Sequence, residues 1–435
     1  MRITLFQGIL SALFVLAAAI GVFVFATHTG KSNGGAATVG TVVIWGTLPR
    51  TDFQNALTDI MKGDQTLKGV SYVQKNPDTI SSDLASAIAI GGAPDLILAS
   101  QEGLSSLSKL IVPLPSSTLP PATFNAAFIG EGRLFATPDG SGYYGVPFLV
   151  DPLVLFSNHA ILASSGIAKP PATWEALTGL VPNVATLTPN RQITRGLIAL
   201  GAYDNIRNAR GILSAIFLQT GVPLSYYRTG VLVADLNGSA TGGQLPGPAA
   251  LNFYTQFADP SKVSYTWNAS LPDSRQMFLA GDLALFIGYV SEARFLRVAN
   301  PNLDFNVSPL PQPATATLKS TYGLVYAFMI PRGAKNASGA YQAAVMLVDP
   351  AAQALAAPAL GMAPAALDAL GTAPADSIAA VAYTGALYAG GWLSPAPADT
   401  DAVFSSMITG VISGRLTSDR ALTSSEISLS SLLQK

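Results

Sequence analysis

Between Thr41 and Ser100 the sequence alternates short apolar, β-branched runs with stretches of helical rhythm, and this alternation restricts the fold more than any other feature. TVVIW (41–45), closed by Gly46, reads as a buried strand. TDFQNALTDIMK (51–62) repeats its apolar residues at Phe53, Ala56, Leu57 and Ile60, the period of a helix packed on one face, with Asp52 favoured near its start by the helix dipole. GVSYVQ (69–74) is a second strand, SSDLASAIAIGG (81–92) a helix stopped by two glycines, and DLILAS (95–100) a third strand. Strand–helix–strand–helix–strand predicts a parallel sheet with helices on its faces. Ligands of such sheets bind where loops leave the carboxyl ends of the strands, which directs attention to the segments after Trp45 and after Ala99.

The chain has 435 residues, beyond the size at which a single core stops growing, so two lobes are expected. Hydrophobic residues make up 49% and charged residues 11%, which suits a large buried core. Lys+Arg is 24 against Asp+Glu 25, with no basic block to neutralise phosphates, so nucleic acid is not an expected partner. The absence of cysteine removes disulfides, thiolate metal sites, a cysteine nucleophile and a lipidated Cys. His28 and His159 are the only histidines, too few for a multi-His metal site. No metal and no cofactor are expected.

From Ile3 to Ala26 the chain is almost wholly apolar, with Gln7 the one strongly polar side chain. As a helix its length of about 36 Å exceeds the ~30 Å of a hydrocarbon core. Arg2 and the terminal amine precede it, which places the rest of the chain outside the cytoplasm. We read 1–26 as a transmembrane anchor, retained because it is longer than an ordinary cleavable signal; cleavage after Val24-Phe25-Ala26, giving a secreted or periplasmic protein, is the alternative. Residues 27–40 are rich in Gly, Ser and Thr and read as a flexible linker.

YYGVPFLVDPLVLFS (143–157) is a long extended run, and KSTYGLVYAFMIP (319–331) is another. Helical patterns dominate between the first of these and about Asn300, and again in the alanine-rich remainder. The order of segments resembles the family 1 extracellular solute-binding proteins, the sugar-type receptors of ABC importers. The resemblance is carried by TVVIWGT, by GGAPDLILAS, and above all by Tyr144-Gly145-Val146-Pro147, Asn158 and Pro170-Pro171-Ala172-Thr173-Trp174. FLAGDLALFIGY (278–289), GLVYAFMIPRGAKNASGAYQAAVML and VISGRLTSDRAL (411–422) follow in the family's order.

The resemblance implies a periplasmic-binding-protein-like α/β fold of two α/β lobes joined by crossing hinge strands, in addition to the N-terminal transmembrane helix. Carried over, 41–150 and 325–362 form lobe 1, and 151–324 and 363–435 form lobe 2. The crossings fall near Leu149–Leu153, near Tyr322–Tyr326 and around Pro358–Pro364. It also implies a monomer that closes over a small solute, a carbohydrate above all, and delivers it to the transmembrane subunits of an ABC permease.

A sugar offers hydroxyls and apolar C–H faces, so its site needs aromatic platforms and side chains that hydrogen-bond in both directions. The segments singled out hold such residues: Trp45 after the first strand, Gln101 and Glu102 after the third, Tyr144 ahead of the first crossing and Asp151 in it, Tyr289 at the end of FLAGDLALFIGY with Glu292 just beyond, and Tyr322 at the second crossing. Trp267 and Trp392, in loops containing Gly, Ser or Pro, complete the expected set. Asp151, flanked by apolar residues, is either a ligand acceptor or a brace for the hinge backbone. Trp45 serves equally as a platform or as core. Trp174 reads as part of a capping turn. Arg191, Arg195, Arg207 and Arg210 read as a solvated face, with one of them available to an anionic ligand. No HExxH, GxSxG or SxxK arrangement sits in a suitable strand–turn–helix setting, so no enzyme is expected. The alternatives are a sensory or scaffold subunit on the same fold and, behind it, a glycan hydrolase using paired carboxylates.

Overall fold

The first strand, β1 (Val42–Gly46), buries every second side chain, and the helix α1 (Arg50–Met61) buries Phe53, Ala56, Leu57 and Ile60, the four positions its periodicity selects. The computed structural model to which they belong describes residues 38–62, 65–240 and 245–434. The expected anchor at 1–26 lies outside the described residues, as does the expected linker except for residues 38–40. From Val39 onward the chain forms one compact unit. Among the described residues no single helix is long and apolar enough to cross a membrane.

The strands β2 (Val70–Gln74) and β3 (Leu96–Ser100) flank β1, both parallel to it, and the helix α2 (Ile80–Ala89) connects them. The buried Asp95 fastens this unit. Its carboxylate accepts the backbone N–H of Val43 at 2.9 Å and that of Asn336 at 2.8 Å.

The 13-residue strand β4 (Val146–Asn158) is buried along its whole length. Further along lie β5 (Ile193–Ile198), α3 (Ala209–Gln219), α4 (Ser274–Ala280), β6 (Leu283–Tyr289), α5 (Glu292–Ala299) and β7 (Phe305–Pro309). They are followed by β8 (Thr321–Met329), α6 (Ala337–Leu347), α7 (Pro350–Leu360), β9 (Ala363–Pro364), α8 (Pro397–Ile412) and α9 (Ser418–Leu433). One 11-stranded mixed sheet runs β2-β1-β3-β8-β4-β6-β5, with the short Thr186–Leu187 strand at its edge. The partners of β4 change along its length. Its first half pairs with β8 and β9, its second half with β6 and β7, all antiparallel. The register of β4 on β8 is interrupted between Tyr326 and Ala327.

Two large apolar clusters sit on this sheet. One gathers α1, β1, α6 and α7 around Phe53, Phe148 and Phe328; the other gathers α3, β6 and the second half of β4 around Phe156, Phe217 and Phe286. The reading of residues between β4 and Asn300 as mainly helical needs correction. Ile193–Ile198 is a strand, and Leu224–Arg228 pairs with Val231–Asp235 as a hairpin. Thr229 and Gly230 form its turn with φ of 50° and 82°, a two-residue turn whose positive φ values match the strand twist.

Candidate functional site

A cleft of about 650 Å³ opens where the loops leave the carboxyl ends of β1, β2 and β3. Thr47, Asp78 and Glu102 line it from that side. Opposite stand the segment Tyr203–Gly211 leading into α3, Asp273 before α4, Tyr289 at the end of β6, and Asp401 of α8. Tyr326 and Leu324 of β8 also line it, so the strand passing between the two apolar clusters contributes to the wall.

The strongest polar feature is built around Arg210. The helix α3 is apolar on most of its surface and buries Ile212, Leu213, Ile216 and Phe217, which leaves Arg210 at its first turn to face the cleft. Asn208, in the left-handed conformation at φ 61°, begins the helix. The Arg210 guanidinium grips Glu102 with two parallel hydrogen bonds, Nε to Oε1 at 3.0 Å and Nη2 to Oε2 at 2.9 Å. Nη1 donates to Asp401 Oδ2 at 2.5 Å and to the Pro397 carbonyl at 3.4 Å. Tyr322 donates to Glu102 Oε1 at 2.7 Å, and Tyr203 donates to Asp401 Oδ1. Burial opposes the guanidinium's charge, but Glu102 and Asp401 outweigh it and hold Arg210 well above its ordinary value. Such bidentate, charge-assisted contacts fix geometry as well as energy.

Of the side chains expected to form the ligand-binding set, Glu102 and Tyr289 line this cleft and the others do not. Gln101 is fully buried behind it. Its Nε2 donates to the Gly323 carbonyl and its Oε1 accepts the Val325 N–H, both at 2.9 Å, so it seals β8 to the end of β3. Tyr322 is likewise buried and reaches the cleft only through Glu102. Asp151 accepts the backbone N–H of Ser291 at 3.1 Å and its hydroxyl at 2.6 Å, which is the bracing role. Burial pushes its carboxyl up to about 7 even with these bonds.

Trp267 and Trp392 are core residues, their indole N–H groups satisfied by Asn205 at 3.1 Å and Ser214 at 2.9 Å. Loop-like flanks in sequence, SYT and NAS around Trp267 and Gly390-Gly391 and Ser394-Pro395 around Trp392, concealed the apolar walls that long-range packing builds around both rings. Trp45 is half-buried beneath Lys75, whose ammonium sits 3.8 Å from the ring centroid, outside the cleft lining. Tyr144 lines a separate apolar pocket of about 280 Å³ with Phe128 and Phe328. Arg207 and Arg210 do line the cleft rather than a plain solvated face, but Arg210 is committed to carboxylates.

The sequence reading missed Asp78, Tyr203, Asp204, Asp273, Tyr326 and Asp401. A signal for two of them was present: AYDNIRNAR is a dense polar stretch between the apolar runs GLIAL and GILSAIF. Among the described residues no group of three or more His, Cys, Asp or Glu side chains is placed to hold a metal ion.

This architecture, a mixed sheet whose central strands serve two cores beside a polar cleft, defines a periplasmic-binding-protein-like α/β fold. Residues 55–354 match the model of the bacterial extracellular solute-binding protein family, and the chain belongs to that family. Its members bind substrates and are generally not enzymes, and the family places the chain outside the cytoplasm.

Similar solved structures include an ABC transporter solute-binding protein from Thermotoga lettingae bound with α-D-tagatose, at TM-score 0.67 and 20% identity over 91% of this chain and 100% of that one. A cyclic α-maltosyl-1,6-maltose binding protein from Arthrobacter globiformis gives TM-score 0.73 at 15% identity over 91% of this chain and 99% of that one. The maltose/maltodextrin-binding domain from Bdellovibrio bacteriovorus, bound to maltotriose, gives TM-score 0.64 at 16% identity over 91% and 100%. No curated protein sequence matches the chain at a significant level.

Proposed function

We propose that this protein is the extracytoplasmic substrate-binding component of an ABC importer, that it captures a sugar or oligosaccharide in the cleft described above, and that its N-terminal apolar segment anchors it to the membrane. The observation that carries the reading is the position of the cleft: it lies at the carboxyl ends of β1, β2 and β3, is walled in part by the central strand β8, and is lined by carboxylates and tyrosines suited to hydroxyls and C–H faces. The ligands of the similar structures, tagatose and maltotriose among them, support a carbohydrate. In this reading residues 41–150 with 325–362 and residues 151–324 with 363–435 are lobes that close on the ligand, with β4 and β8 as crossings, and an ABC permease reads the closed form.

The test is a melting-temperature screen of the full chain, in a detergent without a sugar headgroup, against monosaccharides and oligosaccharides. Ligand binding raises the melting temperature by mass action, and the sugar is recovered unchanged. Tyr289→Ala weakens the best ligand by about tenfold, the loss of ~1.4 kcal/mol of ring contact. A carbohydrate panel that leaves the melt unmoved, or a sugar that is hydrolysed, ends this reading.

A further inference from the structure

We propose that the cleft selects a saccharide bearing a free amine over its neutral counterpart and rejects one bearing a carboxylate or phosphate. The inference rests on the sugar-binding reading and names the chemistry of the sugar.

It starts from a local excess of charge. Asp78, Glu102, Asp204, Asp273 and Asp401 line the cleft against two arginines, leaving it three negative charges. The whole chain carries a formal net charge of only -1, so the excess is concentrated in this cleft and the remainder of the protein is net positive. A concave site of one sign focuses the field on whatever enters it.

Of the two guanidiniums at the cleft, that of the half-buried Arg210 is already engaged. Nε and Nη2 of Arg210 are taken by Glu102 and Nη1 by Asp401, so an incoming anion must compete with carboxylates for that fork, while the exposed Arg207 is outweighed by Asp78, Asp204 and Asp273. Among the acids, Asp204 accepts from a neutral group, the Ser405 hydroxyl at 2.7 Å, and its side chain is exposed at the cleft. Asp78 is exposed on the rim, where its own bond runs through its backbone N–H to Asn76.

The aromatic lining points the same way. None of the four tryptophans lines the cleft, which removes the widest stacking surface for a neutral sugar ring. Tyr289 and Tyr326 line it instead, half-buried, among the carboxylates that share the lining. Tyrosine faces and carboxylates together form an environment for an ammonium group.

The experiment is calorimetric titration of the full chain, in a detergent without a sugar headgroup, with matched saccharides of gluco, galacto and manno configuration. Each is supplied as free amine, N-acetyl amine, neutral parent and uronate, at low and high salt. The amine form is expected to bind about tenfold tighter than its N-acetyl and neutral counterparts, a preference worth ~1.4 kcal/mol. High salt should shrink that preference, and the double variant D78N/D204N should abolish it while melting like the wild type, since both side chains are exposed. Equal or tighter binding of the neutral, N-acetyl or uronate form overturns the inference and leaves the sugar-binding reading standing, as does a double variant that keeps the preference. No binding by any member overturns both.

Discussion

Glu131 is 4% exposed, and neither of its carboxylate oxygens has a hydrogen-bond partner. It is held against two glycines. A Cβ at Gly391 would lie 2.5 Å from one oxygen and a Cβ at Gly323 2.8 Å from the other. Burial, reinforced by the nearby Glu102 charge, pushes its carboxyl up from 4.5 to about 8. Its folded-state affinity for a proton is therefore raised, so the contribution is fully present at low pH and is lost as pH rises through that window. Glu131→Gln should melt above the wild type at pH 8, with the gap closing toward pH 5; a gap that stays constant with pH would count against this account. Asp151, raised to about 7 by burial, adds a slope of the same sign that the variant retains. None of this was legible in sequence, because Glu131 sits in the unremarkable stretch GEGRLF and becomes unusual only when residues hundreds of positions away close around it. The same holds for Trp267 and Trp392. Residue types reveal what chemistry a side chain is capable of, while burial depends on partners that a local reading does not bring together.

Elements were far more legible than sites. β1, α1, β2, α2 and β3 fall within a residue or two of the runs that pattern alone outlined, because each is an uninterrupted apolar period bounded by glycine or a polar cluster. The misses have local causes. β5 follows Ile193 with the polar Thr194 and Arg195, and the Leu224–Arg228 strand carries Ser, Tyr and Arg that stay partly or fully exposed, so neither shows a clean apolar alternation. The turn signal Thr229-Gly230 was there to be read. Asp95 carries the element-scale prediction. Its two bonds tie β1 to the residue that caps α6, so Asp95→Ala leaves two backbone N–H groups without their acceptor. The expected cost is about 2 kcal/mol in urea denaturation, with ligand affinity unchanged. A variant as stable as the wild type would show that water replaces the carboxylate.

At the scale of the whole molecule, Arg210 and Glu102 meet across the cleft, the first from α3 and the second from the end of β3. Arg210→Met leaves Glu102 and Asp401 close together without their cation. We expect a loss of about 2–3 kcal/mol in urea denaturation, with part of it recovered by adding Glu102→Gln. Recovery distinguishes an uncompensated charge from simple loss of packing, and its absence would favour packing.

The break in register between Tyr326 and Ala327 carries a last consequence. Elsewhere the β8 ladder ties neighbouring strands residue for residue, and a sheet so stitched resists bending about an axis across its strands. A slipped stitch gives the fabric a crease, and here the crease falls beside Tyr326, which lines the cleft. If the lobes close as proposed, flexing at this crease would carry Tyr326 along with the wall of the cleft it belongs to.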